Sequence, residues 1–104
     1  MAYRGENIDI TIKGDSEFNL DALSFMVLIY PDRHTEQAIQ INKEDGDRLG
    51  ENHYHLRLEY SQTKDMALGM YTIEVLVIES GISRSIYMKN GAFPVYDSAS
   101  KNIA

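Results

Sequence analysis

The chain has 104 residues, a formal net charge of −6 and no cysteine. This length suits one domain with one hydrophobic core, so a multidomain enzyme is excluded. The acidic balance disfavours nucleic-acid binding through a basic face, and without cysteine there is no disulfide, thiolate nucleophile or cysteine–zinc site. Apolar residues make up 43% of the chain, which indicates a folded globular protein rather than a disordered one.

The sequence carries no targeting signal. Its first residues contain no apolar stretch of signal-peptide length, and its longest apolar run, residues 25–30, is far shorter than the roughly 20 residues that cross a membrane. We therefore expect cytoplasmic synthesis without a signal peptide and no membrane partner. Incorporation into a virion is compatible with this expectation.

Short runs of alternating apolar and polar residues dominate the chain. Such runs are typical of half-buried strands, and turn residues separate them roughly every 8–12 residues. The pattern predicts strands over residues 7–13, 24–30, 35–43, 53–60, 70–79, 82–89 and 93–95. No apolar stripe of helical period is present, so the pattern predicts an all-β antiparallel sandwich or small barrel.

The connections carry their own signals. Residues 61–68 break the alternation and allow one helical turn. Ser80-Gly81 predicts a tight hairpin turn, and Asn90-Gly91 predicts a second turn or a bulge. Residues 45–47 predict a turn. The sandwich is predicted to span residues 1–97, followed by a flexible tail over 98–104.

Two predicted strands are apolar on more than one face. Residues 24–30 are apolar throughout, which is typical of a central strand covered on most sides. In the strand over 70–79, Tyr71, Ile73, Val75 and Val77 share one face, and Leu76 and Ile78 indicate partial cover of the other. Leu56, Leu58, Ile73 and Val75 are therefore expected on facing inner surfaces of two sheets.

Gly69-Met70-Tyr71 follows a short turn and leads into an alternating strand. This motif resembles the entry to strand F of immunoglobulin-like domains, where a tyrosine hydroxyl bonds back to the preceding loop. The resemblance implies that Tyr71 forms a structural tyrosine corner with the backbone of residues 61–68.

The wider layout combines this motif with an opening Arg4-Gly5-Glu6-Asn7 and a closing segment over residues 91–98. Together, over residues 4–98, they resemble the immunoglobulin-like modules of phage and prophage tail or baseplate proteins, such as the N-terminal domain of baseplate upper proteins. The resemblance implies an immunoglobulin-like antiparallel β-sandwich of about seven strands. It also implies a non-catalytic structural role in a virion, with other structural proteins or further copies as partners.

His53 and His55 lie two residues apart on a predicted strand, so their side chains share one face. Imidazoles at this spacing can share a zinc or copper ion, with Glu51 and Glu59 available along the same face. Arg57 would repel the cation, and a solvated sheet face is the favoured interpretation. A metal-dependent enzyme using His53 and His55 stays as the weaker alternative.

The sequence offers neither a nucleophile elbow nor a phosphate-binding loop, so we predict no enzyme activity, catalytic residue, cofactor or metal. Its seven tyrosines and five methionines indicate contact surfaces instead. Tyr87, Met88 and Tyr96 form the predicted interaction surface, on a last strand that Pro94 places at an edge. Exposed aromatic residues also hold sugars, so a small carbohydrate-binding or adhesion module is the alternative function.

Overall fold

The computed structural model describes residues 2–15 and 17–96, and the predicted tail over 98–104 lies outside them. The chain forms an immunoglobulin-like β-sandwich, which confirms the predicted fold class. The strands are β1 (Ala2–Tyr3), β2 (Ile8–Lys13), β3 (Ser24–Pro31), β4 (Ile39–Asn42), β5 (Asp47–Gly50), β6 (His53–Leu58), β7 (Gly69–Glu79) and β8 (Ile82–Tyr96). A short helix, α1 (Tyr60–Thr63), joins β6 to β7, within the region where one helical turn was expected.

The strands form two sheets that pack against each other. One has five strands in the order β1-β8-β7-β3-β4, and the other has three in the order β2-β6-β5. Neighbouring strands are antiparallel, apart from β1, which runs parallel to β8. With β2 to β8 taken as strands B, C, C′, D, E, F and G, these orders are those of an immunoglobulin-like domain. We call the side of a sheet that faces the other sheet its inner face, and the opposite side its outer face.

The hydrophobic core lies between the two inner faces. Leu56, Leu58 and Val75 are buried in it, as the alternation predicted, and Ile73 is partly exposed while packing against it. The core includes side chains from both sheets and from the loop after β2: Ile8, Ile10, Leu20, Phe25, Val27, Ile29, Ile41, Tyr54, Val77 and Val95. In the described residues, no helix is long and apolar enough to cross a membrane.

Strand β8 is continuous where the sequence predicted two strands, over 82–89 and 93–95. The Ser80-Gly81 turn connects it to β7, with both residues at positive φ (51° and 78°), as the two-residue hairpin turn requires. Further along, its pairing with β7 shifts between Tyr71 and Ile73. The intervening Asn90-Gly91 is therefore a bulge rather than a second turn, and Gly91 takes a φ of 62° there.

A small polar network fixes this bulge in place. The hydroxyl of the buried Thr72 donates to Asp32 Oδ1 at 2.6 Å and lies 2.9 Å from the side-chain oxygen of Asn90. The Gly91 amide donates to the same Asp32 oxygen at 3.2 Å. These hydrogen bonds, from Thr72 first and then Gly91, hold the pKa of Asp32 below its ordinary value.

Strand β5 is absent from the sequence prediction, which placed a turn over 45–47. Its residues Asp47, Arg48 and Leu49 are all exposed, so the strand has no apolar–polar alternation to reveal it. The predicted strand over 35–43 is also shorter than expected. It is reduced to β4 by 3₁₀ turns at Thr35–Gln37 and Lys43–Asp45.

Asp21 ties the loop between β2 and β3 to the three-stranded sheet. Its carboxylate accepts two hydrogen bonds from the Arg48 guanidinium, at 2.9 and 3.1 Å. It also accepts one from the Tyr54 hydroxyl at 2.8 Å and one from the Asn52 amide at 2.9 Å. These contacts, led by Arg48, hold the pKa of Asp21 well below its ordinary value of 3.8.

This network predicts a loss of stability in acid. A carboxyl whose pKa is lower in the folded state contributes stability above its unfolded pKa and loses it as the pH falls further. We expect the contribution of Asp21 to decline below a pH of about 4. Melting temperatures of wild type and Asp21→Asn between pH 7 and pH 2 should therefore converge as the pH falls. A constant difference between the two proteins would contradict this role.

Tyr71 is buried at the start of β7, and its ring stacks on Phe93 with 5.8 Å between centroids. Its hydroxyl donates to the backbone carbonyl of Ala67 at 2.8 Å. Ala67 lies within residues 61–68, the segment in which the tyrosine-corner motif predicts the acceptor. This bond joins the loop after α1 to the five-stranded sheet.

Replacing Tyr71 with phenylalanine tests the contribution of this bond. The ring packing is kept and only the hydroxyl is lost, so we expect the free energy of unfolding to fall by about 0.5–1.5 kcal/mol. Urea denaturation of both proteins measures this difference. If Tyr71→Phe proved neutral, Tyr71 would be a core aromatic residue whose hydroxyl adds nothing to stability.

Candidate functional site

The outer face of the five-stranded sheet is apolar around its two central strands. β3 contributes Met26 and Leu28, β7 contributes Leu76 and Ile78, and β8 contributes Met88. We call these five residues the outer apolar patch. Met26 lies directly opposite Leu76 in the pairing of β3 with β7, so the side chains meet across the strands.

The outer apolar patch is accessible among the described residues. Met26, Leu28, Leu76 and Ile78 are partly exposed, and Met88 is 53% exposed. Strands that are apolar on both faces are typical of a sheet covered on both sides. Here the small sheet covers the inner face of β3 and β7. The outer apolar patch therefore has the composition of a covered surface, yet its side chains are partly exposed to solvent.

Uncharged polar residues surround much of the patch. Leu28 is paired with Gln40, Met26 with Asn42, Ile78 with both Ser24 and Ser83, and Leu76 with Ser85. Cross-strand partners point to the same side of a sheet, so these five polar side chains share the outer face with the patch.

Glu74 places a carboxylate within the outer face of the patch, because it lies between Leu28 and Met88 in the strand pairing. It accepts a hydrogen bond from the Tyr30 hydroxyl at 3.1 Å. Tyr30 is itself buried, and burial, followed by Glu74, raises the pKa of its hydroxyl. The Glu74 carboxylate is therefore positioned by its hydrogen bond from Tyr30.

The predicted interaction surface of Tyr87, Met88 and Tyr96 is divided by the structure. Each residue is about half exposed, at 52%, 53% and 47%. Met88 belongs to the outer apolar patch, whereas Tyr87 is paired with the buried Val75 and points to the opposite side. Tyr96 lies more than about 20 Å further along β8, because residues 87–95 run alongside the six-residue separation from Val75 to Gly69 on β7, and it is next to β1. β1 therefore pairs with part of the edge that Pro94 was expected to leave open.

Tyr87 lines a second surface, a groove of about 400 Å³. The groove lies between β2 of the three-stranded sheet and β8 of the five-stranded sheet, at one edge of the sandwich. We call it the edge groove. Its apolar lining comes from both sheets and from the loop after β2, and includes Ile10, Ile12, Phe18, Leu20, Ile73, Val75 and Ile86. Lys13 and Asp15 also line it.

His53 and His55 alternate with the buried Tyr54 and Leu56 along β6 and therefore share the outer face of the small sheet. His55 Nε2 lies 2.8 Å from Asp9 Oδ1, and the Arg57 guanidinium donates to the same oxygen at 2.8 Å. These contacts, from Arg57 first, lower the pKa of Asp9. Within residues 2–15 and 17–96, no group of three or more His, Cys, Asp or Glu is placed to hold a metal ion.

A polar cleft of about 350 Å³ lies beside His55. Its lining mixes acidic, basic and amide side chains with one apolar residue, and consists of Gln40, Ile41, Asp45, Asp47, His55, Arg57, Glu59 and Gln62. Such a set of donors and acceptors can hydrogen-bond hydroxyl groups.

Comparisons with known proteins find a structure of similar fold but assign the chain to no family. No protein-family model matches the chain, and no curated protein matches it. A solved structure that resembles it is the crystal structure of a putative glycoside hydrolase from Bacteroides vulgatus ATCC 8482, with a TM-score of 0.54 and 14% sequence identity. The match takes in 97% of this chain and 17% of that one, so the likeness concerns the fold of one segment of a longer protein.

Proposed function

We propose that this domain is a non-catalytic structural module that assembles with other proteins through the outer apolar patch. The observation that carries the proposal is that β3, and β7 from Leu76 onward, are apolar on both faces while the patch on the outer face is partly exposed among the described residues. Covering such a patch is favourable by roughly 25 cal/mol for each Å² of apolar surface removed from water. Methionine enrichment and charge depletion are also typical of the central part of protein interfaces.

The sequence motifs support placing this module in a phage or prophage particle. Their resemblance to tail and baseplate modules covers residues 4–98. In this role the chain would be made in the cytoplasm without a signal peptide and enter the virion by binding its neighbours. Its partners would be other structural proteins or further copies of itself.

Particle fractionation tests this function. Particles released by the source cells are separated from free protein on a density gradient, and peptides of this chain are sought by mass spectrometry. We expect the chain in the particle fraction with wild type, and in the free-protein fraction when Leu76→Glu puts a charge into the patch. Recovery of the wild-type chain with free protein alone would contradict a virion role.

A carbohydrate-binding accessory module is the second candidate. The likeness to a segment of a putative glycoside hydrolase favours it, and the polar cleft beside His55 offers hydrogen-bonding groups of the kind that hold sugars. Calorimetric titration with soluble glycans separates the two candidates. Saturable binding that Arg57→Ala removes and Arg84→Ala leaves unchanged would establish the accessory module, and no heat with any glycan would reject it.

A further inference from the structure

We infer that the outer apolar patch packs against the same patch of a second copy of this chain, which gives a dimer with twofold symmetry. The inference rests on the proposed function, because it uses the same surface, and it names the partner. A twofold interface brings the same residues together from both copies, so the surface has to be complementary to itself.

The distribution of charge favours a second copy. Charged residues make up 25% of the chain, with a net charge of −6, so two copies repel each other unless the contact surface is neutral. The half of the outer face around Met26 and Leu76 is neutral, because its cross-strand partners are serine, glutamine and asparagine. Each of these side chains can both donate and accept hydrogen bonds. The polar residues around the patch of one copy can therefore pair with the same residues of a second copy.

The size of the face is sufficient for a dimer of modest strength. About eight residues each of β3, β7 and β8, with the four residues of β4, cover roughly 450 Å² at a strand spacing of about 4.8 Å. Two such faces together bury about 900 Å², close to the lower limit for a specific interface. We therefore expect an equilibrium between monomer and dimer that depends on protein concentration.

The open edge of β8 is less suited to a second copy than the outer face. Its pairing with β7 is interrupted by two register shifts, and Arg84 and Lys89 stand along it. Bulges and basic side chains are features by which proteins prevent the addition of a strand at an edge. Contact through the sheet face avoids both obstacles.

Sedimentation velocity across micromolar to millimolar concentrations tests the inference. We expect wild type to shift from monomer to dimer as the concentration rises. Met88→Glu changes a side chain that is 53% exposed, so folding should be preserved, and we expect it to weaken the dimer by more than about tenfold. Leu76→Glu should have the same effect. Circular dichroism confirms that each variant is folded.

Thr11→Glu is the matched control, because Thr11 is exposed on β2 in the other sheet and the substitution adds the same charge. It should dimerise like wild type. A wild-type monomer at every concentration, or a dimer that neither patch variant weakens, would overturn the inference. Particle fractionation is independent of these results, so the assembly function can survive the loss of the homodimer.

Discussion

Replacement of Leu58 by alanine is expected to lower the free energy of unfolding by about 2–5 kcal/mol, the largest effect of any substitution considered. Leu58 is fully buried on the inner face of β6 and is paired with Ile8 of β2. Removing its branched side chain leaves a cavity that the two sheets cannot close without distorting their ladders. For a domain of this size the loss is a large share of the total stability.

Urea denaturation of wild type and Leu58→Ala measures this loss. Thr11→Ala, on the exposed face of the same small sheet, is the control and should change stability very little. Ile73→Ala should cost less than Leu58→Ala, because Ile73 lines the edge groove and is partly exposed. If Leu58→Ala melted like wild type, the assignment of the inner face of β6 would be wrong.

The inner faces of the strands could be predicted from the sequence because alternation reports burial directly. Ile8 and Ile10 on β2, and Leu56 and Leu58 on β6, are buried where the pattern placed them. The positions of individual strands within the sheets depend on pairing between distant residues. Strand β5 shows this well, since Leu49 is 54% exposed and the strand is defined by its partner β6 alone.

The candidate site could be predicted in part. Leu76 and Ile78 indicated a second covered face on β7, and the apolar run over 24–30 indicated the same for β3. The exposed aromatic residues and Pro94 nevertheless predict an interaction surface at Tyr87, Met88 and Tyr96. Adjacent strand residues point to opposite faces, so alternation alone separates Tyr87 from Met88. The joining of the two predicted last strands at the Asn90-Gly91 bulge depends on contacts of Thr72 and Asp32, which local pattern does not contain.

Lys43 was not singled out from the sequence, and the structure gives it a central role in the loop between β2 and β3. Its ammonium group donates hydrogen bonds to the backbone carbonyls of Leu20, Asp21 and Leu23, at 2.9, 3.0 and 2.8 Å. One side chain from the turn after β4 therefore satisfies three acceptors of a loop distant in sequence. Hydrogen bonds from a charged donor are stronger than those between neutral groups.

Two aromatic rings complete the surroundings of this ammonium group. It lies 5.7 Å from the ring centroid of Phe25 and 5.6 Å from that of Tyr54, within the range of cation–π attraction. The two rings contact each other edge to face, with 5.3 Å between centroids. Phe25 belongs to one sheet and Tyr54 to the other, so Lys43 joins the loop to both sheets at once.

Lys43→Met is therefore expected to lower the free energy of unfolding by about 1.5–3 kcal/mol, because it leaves three carbonyls without their charged donor. Lys64→Met is the matched control, since Lys64 is exposed at the end of α1 and loses the same charge. Urea denaturation of both variants at neutral pH distinguishes the loss of these hydrogen bonds from a general effect of charge. If the cause were only the removal of one positive charge from an acidic chain, both variants would lose stability equally. A loss confined to Lys43→Met would instead show that the three carbonyls depend on this ammonium group, and equal losses would contradict that role.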